Sequence, residues 1–180
     1  KYELEWHKSL ETENISDVMD LVIMSDVSLS MAGTPMEACI ALSLLFANRL
    51  NGVWNNKVLT FDSKPQWHEI PKDLDIVEKI KFLHKAPWGG TTNIGLALDM
   101  ILTMAVKNKL LPNDMPSKLL ILSDMQFDKS CTYDDKFLTG FEHLQNKFII
   151  NGYSMPAIIF WNLRGDTYGY ENKSNQKGTT

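Results

Sequence analysis

Cysteine is scarce in this chain: two thiols in 180 residues, Cys39 within an apolar helical stretch and Cys131 in a loop. That excludes a disulfide framework and a CxxC zinc signature, and it favours a reducing, intracellular and cytoplasmic setting. Long apolar runs are missing as well. None approaches the ~20 residues of a membrane span, so no membrane partner is expected, and the start Lys1-Tyr2-Glu3 carries no signal-peptide pattern. An initiator methionine is also lacking, as expected of a fragment or a processed chain. Positive charge is in deficit, with 18 Lys and Arg against 22 Asp and Glu, a net charge of -4 and a pI near 5.5. Nucleic-acid affinity rests mostly on cations that neutralise phosphates, so nucleic acid is not expected to be this domain's partner. There is no P-loop or GxGxxG, and His7, His68, His84 and His143 are scattered without ligand spacing.

What is present is enough apolar residue, 44%, for one sizeable core. Residues 1–17 form a polar lead-in, 18–164 the domain, and 165–180 a Gly-, Asn-, Ser- and Lys-rich tail expected to be flexible or truncated. Within the domain, Val18 to Ser25 is a short dense apolar run, as in a central strand buried on both faces. Thr34, Pro35 and Glu37 predict a capped helix start near Pro35, with apolar spacing continuing to about Leu50. Val53 to Phe61 and Gln66 to Ile70 form a predicted hairpin around Asp62-Ser63-Lys64-Pro65. Asp73 is the expected cap of a helix carrying Ile76, Val77, Ile80 and Leu83. Further helices run from Ile94 to about Asn108 and through Phe137, Phe141, Leu144 and Phe148, and further strands cover Lys118 to Ser123 and Pro156 to Trp161. Strands alternating with helices imply an α/β, doubly wound, mostly parallel sheet with helices on both faces and one antiparallel edge strand. Ligands in such folds bind beyond the C-terminal strand ends, and Asp26, Asp124 and the Trp161-Asn162-Leu163-Arg164 segment fall there.

Three turns at that end carry chemistry. Asp26-Val27-Ser28-Leu29-Ser30 leaves the first strand with one carboxylate and two hydroxyls. Thr92 follows Gly89-Gly90 before a helix, with Thr91 as the second choice, and Asp124 ends another strand. Two carboxylates with three hydroxyls suit magnesium, which takes oxygen ligands in octahedral geometry; Mn²⁺ and Ca²⁺ are the alternatives. A D-x-S-x-S alone is equally a capping cluster. Asp20 and Asp128 have surface or capping roles as their simpler reading, Met31, Met36, Met100 and Met104 are expected to fill gaps, and Trp88 and Trp161 serve either core or rim.

Asp26-Val27-Ser28-Leu29-Ser30-Met31, Thr92-Asn93-Ile94-Gly95 and Leu122-Ser123-Asp124 resemble the metal-ion-dependent adhesion site (MIDAS) of the von Willebrand factor type A (vWA) family, over about Val18 to Leu163. The resemblance implies a Rossmann-like vWA fold, with Asp26, Ser28, Ser30, Thr92 and Asp124 as metal ligands and no catalytic residues. More narrowly, Ser123-Asp124-Met125-Gln126-Phe127-Asp128 and Phe160-Trp161-Asn162-Leu163-Arg164 resemble an uncharacterised vWA-like family of plants and giant viruses, whose members often carry a Ro/TROVE-like helical region. A viral chain would work in the host cell or the virion. Leu29 stands where the vWA family usually has glycine, which would cost roughly 1 kcal/mol or more if the backbone there is left-handed. The family's last strand and helix are expected to be lacking.

The function this implies is a divalent-cation-dependent protein-interaction module and not an enzyme. An acidic residue of a protein partner completes the shell of a bound Mg²⁺, and Trp88, Asp128 and Arg164 form the partner-binding rim. A Mg²⁺-dependent phosphohydrolase or phosphotransferase is the alternative, weakened because Ser28 stands where a second Asp is usual. An RNA-associated, Ro-like protein is the third reading.

Overall fold

The computed structural model describes residues 20–26, 28–60, 64–85, 94–124 and 135–164. The lead-in and the tail proper, 1–17 and 165–180, lie outside them. Among the described residues five strands form one sheet: β1 (Leu21–Ser25), β2 (Lys57–Thr60), β3 (Trp67–Glu69), β4 (Lys118–Ser123) and β5 (Ala157–Asn162), in the order β3-β2-β1-β4-β5. All neighbours run parallel except β2 and β3, so the antiparallel strand lies at one edge, as the sequence predicts. The helices are α1 (Thr34–Ala47), α2 (Ile76–His84), α3 (Ile94–Lys107) and α4 (Asp135–Ile150).

The central strands are apolar on both faces because both faces are covered. Val22, Ile23 and Met24 of β1 and Leu119 to Leu122 of β4 are buried with Leu59, Leu98, Ile101 and Phe148 in one core. The chain winds from β1 through α1 to β2 on one side of β1, and from β3 to β4 and β5 on the other. Right-handed crossovers therefore put α1 on one face and α3 and α4 on the opposite one. The packing agrees: α1 lies against β1 and α2, while α3 lies against α4. The winding reverses between β1 and β4.

Local chemistry shifts several expected boundaries. Helix α1 begins one residue early, with Gly33 at its N-cap in a left-handed conformation (φ 89°) and no side-chain cap, so the Thr34–Glu37 capping box does not form. Pro35 still sits in the first turn, where its missing N–H is harmless. Helix α2 is capped by Asp75 and not Asp73. Asp75 accepts from the Glu78 N–H at 2.8 Å and Glu78 accepts from the Asp75 N–H at 3.1 Å, the reciprocal box that only Asp75 can make, having Glu three residues on. The segment expected to be a strand from Val53 opens as a 3-10 turn, Gly52–Trp54. Asn56 then adopts a left-handed backbone (φ 55°), which asparagine tolerates and a strand does not. Asp20 takes the capping role: its carboxylate accepts from the Ser117 N–H at 2.9 Å, tying the starts of β1 and β4 together at the end opposite the candidate site. Among the described residues, no helix is long and apolar enough to cross a membrane.

Candidate metal centre

The ladder between β1 and β4 builds the site. Ser25 is level with Leu122, and the Asp26 N–H donates to the Leu122 carbonyl at 2.8 Å, carrying the parallel register one residue past β1. Asp26 is thereby set beside Ser123, whose hydroxyl donates to Asp26 Oδ2 at 2.5 Å. The other carboxylate oxygen, Oδ1, accepts from the Ser28 N–H at 2.9 Å. This Asx-type contact turns the chain sharply off the sheet.

Ser28 and Ser30 then face one another, with their hydroxyl oxygens sharing a hydrogen bond at 2.8 Å. Between them Leu29 opens a one-turn 3-10 helix, Leu29–Met31, closed by the Met31 N–H on the Ser28 carbonyl at 3.0 Å. Such turns run at negative φ, so the left-handed strain anticipated for Leu29 is not what this turn asks of it. Met31 is wholly buried and anchors the turn in the core. The left-handed step falls instead on Gly33, three residues after Ser30.

Asp124, at the end of β4, is buried completely, and Asp26 almost so. Burial raises the Asp26 pKa most, the Ser123 hydroxyl and the Ser28 groups lower it, and the nearby Asp124 charge raises it again. Two buried carboxylates that repel one another call for a cation, and Arg164 supplies one. Beyond β5 the Leu163 N–H donates to the Ser123 carbonyl at 2.9 Å and the Arg164 N–H to Asn162 Oδ1 at 2.9 Å. The chain thus bends over the strand ends. The guanidinium reaches across them, donating through Nη1 to the Ser30 carbonyl at 3.0 Å and lying 3.9 Å from Asp124 Oδ2, an ion-pair separation.

Asp26, Ser28, Ser30 and Asp124 are therefore linked around one point at the switch in winding between β1 and β4, where ligands bind in open α/β sheets. Thr92, Thr91 and Trp88 lie outside the described residues, as does Asp128. Arg164, expected on the rim, reaches the Ser30 carbonyl and lies near Asp124, with its side chain about one-third exposed (34%). Trp161, 45% exposed, stacks at a tilt on Phe46 of α1 with ring centroids 6.3 Å apart. Ser123 is the residue that sequence reasoning missed as part of the site. Its signal was its position at a strand end, directly before Asp124.

The donor set fits a hard divalent ion. For an octahedral centre with oxygens at about 2.1 Å, adjacent ligand oxygens lie about 3 Å apart, close to the 2.8 Å between the two serine hydroxyls. Among the described residues no group of three His, Cys, Asp or Glu side chains clusters in a way that could hold a metal. A centre here therefore rests on two carboxylates and on hydroxyls.

Comparison with known proteins places this geometry in context. The model of a family described as a domain of unknown function (DUF7788) matches residues 20–180. The uncharacterized protein L728 of Acanthamoeba polyphaga mimivirus is 42% identical over 139 residues, which is 77% of this chain and 24% of that protein. The chain thus spans about a quarter of the length of this curated relative, and the resemblance to a giant-virus group is found. The crystal structure of the Deinococcus radiodurans Ro (RSR) protein superposes with a TM-score of 0.53 at 12% identity, over 88% of this chain and 29% of that one. At that identity the likeness is one of fold, and it agrees with the Rossmann-like, vWA-like architecture.

Proposed function

The chain belongs to the DUF7788 family, and from that footing we propose that its vWA-like module is a divalent-cation-dependent protein-interaction domain. The observation that carries this reading is the pair of serine hydroxyls 2.8 Å apart beside two buried carboxylates at the sheet's switch point. Ser28 and Ser30 would hold the ion through their hydroxyls, with Asp26 and Asp124 providing the negative charge and Thr92 the further hydroxyl. A bound Mg²⁺ supplies a Lewis-acidic position that a carboxylate can fill. Two carboxylates against a divalent ion sum to neutrality, so the protein supplies no surplus negative charge to repel an acidic side chain of a partner protein at the open position.

The module on this reading binds and does not turn over. A phosphohydrolase needs a nucleophile or general base near the ion, and Asp26 already accepts from Ser28 and Ser123. An RNA-associated role has weaker support, since the likeness to the Ro protein is one of fold and the chain's net charge is -4. The buried free thiol of Cys39 suits the intracellular setting that belongs to the same proposal.

Thermal melting with and without MgCl₂ or MnCl₂ tests the site. At a hundredfold excess over Kd, mass action contributes about 2.7 kcal/mol, or about 5–10 °C in Tm for a domain of this size. The double variant Ser28→Ala, Ser30→Ala should lose the shift. An equal shift in that variant would overturn the assignment.

A further inference from the structure

We infer that Arg164 is a built-in cation of this site, holding the buried carboxylate end in the metal-free protein, and that a divalent ion binds in exchange for its contact with Asp124. The inference rests on the metal-site reading above and adds a resident competitor to it.

Three segments far apart in sequence meet through this one guanidinium. Nη1 donates to the Ser30 carbonyl, 134 residues away, and the same nitrogen lies 3.9 Å from Asp124 Oδ2. Asp124 is fully buried at the end of β4, and Asp26, likewise buried, directly follows the neighbouring strand β1. A carboxylate so placed is costly without a positive charge nearby. Arg164 meets that need as a residue whose backbone is fixed: its N–H is bound to Asn162 Oδ1, and Leu163 before it is bound to Ser123.

The separation decides between a permanent partner and an exchangeable one. A bidentate arginine–carboxylate pair brings nitrogen and oxygen to about 2.7–2.9 Å with two parallel bonds. Here Nη1 hydrogen-bonds to the Ser30 carbonyl at 3.0 Å, while its separation from Asp124 Oδ2 is 3.9 Å, beyond hydrogen-bond reach. The contact with Asp124 is accordingly the weaker of the two. An ion bound to the Ser28 and Ser30 hydroxyls and to Asp124 would bring like charge against this guanidinium. Because the side chain is about one-third exposed, it has solvent to move into. The two cations share one counter-charge, so the presence of either weakens the other, and by linkage the coupling is reciprocal.

The chain has two arginines, Arg49 and Arg164, which makes the test direct. Mg²⁺ binding is measured by calorimetric titration at constant ionic strength for the wild type, R164Q and R164K, with melting curves in EDTA. R164Q should melt lower than the wild type in EDTA and bind Mg²⁺ about tenfold more tightly, a typical size for coupling between two ligands. R164K, which keeps the charge, should stay within about threefold of the wild type, well short of that coupling. Equal or weaker Mg²⁺ binding by R164Q overturns the inference while leaving the metal site standing. Absence of Mg²⁺ binding in both the wild type and R164Q overturns both. If R164Q does not fold, the wild type decides. In ¹⁵N-arginine-labelled protein the Arg164 Nε–H signal, assigned with R49K, should shift with the same Mg²⁺ midpoint as the calorimetry, and a signal that stays fixed at saturation overturns the exchange.

Discussion

Asp26 carries the conflict between folding and binding at this site. Its carboxylate is cradled by the Ser28 N–H and the Ser123 hydroxyl, yet burial and the Asp124 charge outweigh those bonds and leave its pKa raised. A folded-state pKa above the unfolded value means that the folded protein holds the extra proton between the two. Asp26's contribution to metal-free stability is therefore fully present below the unfolded carboxylate value, near 3.9, and is lost as pH rises through the folded one. The variant Asp26→Asn removes the charge and keeps the shape. In EDTA at pH 8 it should melt a few degrees above the wild type, with a flatter dependence on pH, while its Mg²⁺ shift is lost. A lower Tm than wild type under those conditions would show that the carboxylate is not held at a cost. Ser123→Ala acts in the other direction by removing a bond to a charged group, a loss of about 1.5–3 kcal/mol, read as a fall in urea midpoint at constant m-value.

At the scale of elements, the turn between β1 and α1 is fixed from both ends. Met31 is buried in the core and Gly33 makes the left-handed step into α1. No heavy atom lies within 4 Å of where a Gly33 Cβ would stand, so any cost of Gly33→Ala is backbone conformation alone, about 1–3 kcal/mol at φ 89° and ψ -141°. Because the same turn presents Ser28 and Ser30, the Mg²⁺-induced rise in Tm should shrink with it. Asp75→Ala is the matched control. It loses the α2 capping box, costing about 1 kcal/mol, and should leave the Mg²⁺ shift unchanged. Equal loss of the shift in both variants would mean that the site responds to global stability and not to this turn.

For the whole molecule, Cys39 reports on cooperativity. It sits on α1 against the end of β4, with Sγ 3.8 Å from the Leu122 carbonyl, and burial, followed by the charge of Asp26, pushes its thiol up to about 12. The thiolate is the reactive form, so in a Cys131→Ser background labelling of Cys39 should proceed only through opening of the core. Saturating Mg²⁺ at a hundredfold over Kd should slow that labelling about a hundredfold, because it stabilises the closed form by the same factor. Rapid native-state labelling would place Cys39 outside the cooperative core.

The mostly parallel sheet with its antiparallel edge strand and the polar turns at strand ends were legible in the sequence, whereas the order of the strands came only with the structure. Buried strands announce themselves as short apolar runs, and β2 and β3 are joined locally. The cap of α2 was misplaced at Asp73, although Glu78 three residues on selects Asp75. Other features follow from contacts between distant residues, which periodicity does not record. Asp26 meets Ser123 across 97 residues because β1 and β4 are paired in a particular register, and Arg164 reaches Ser30 across 134 because the chain bends back after β5. The sequence alone determined that carboxylates and hydroxyls would gather at one end of the sheet. Only the tertiary structure decided that an arginine stands among them, since its place depends on where β5 ends and on the hydrogen bonds of Asn162 and Ser123 that turn it inward.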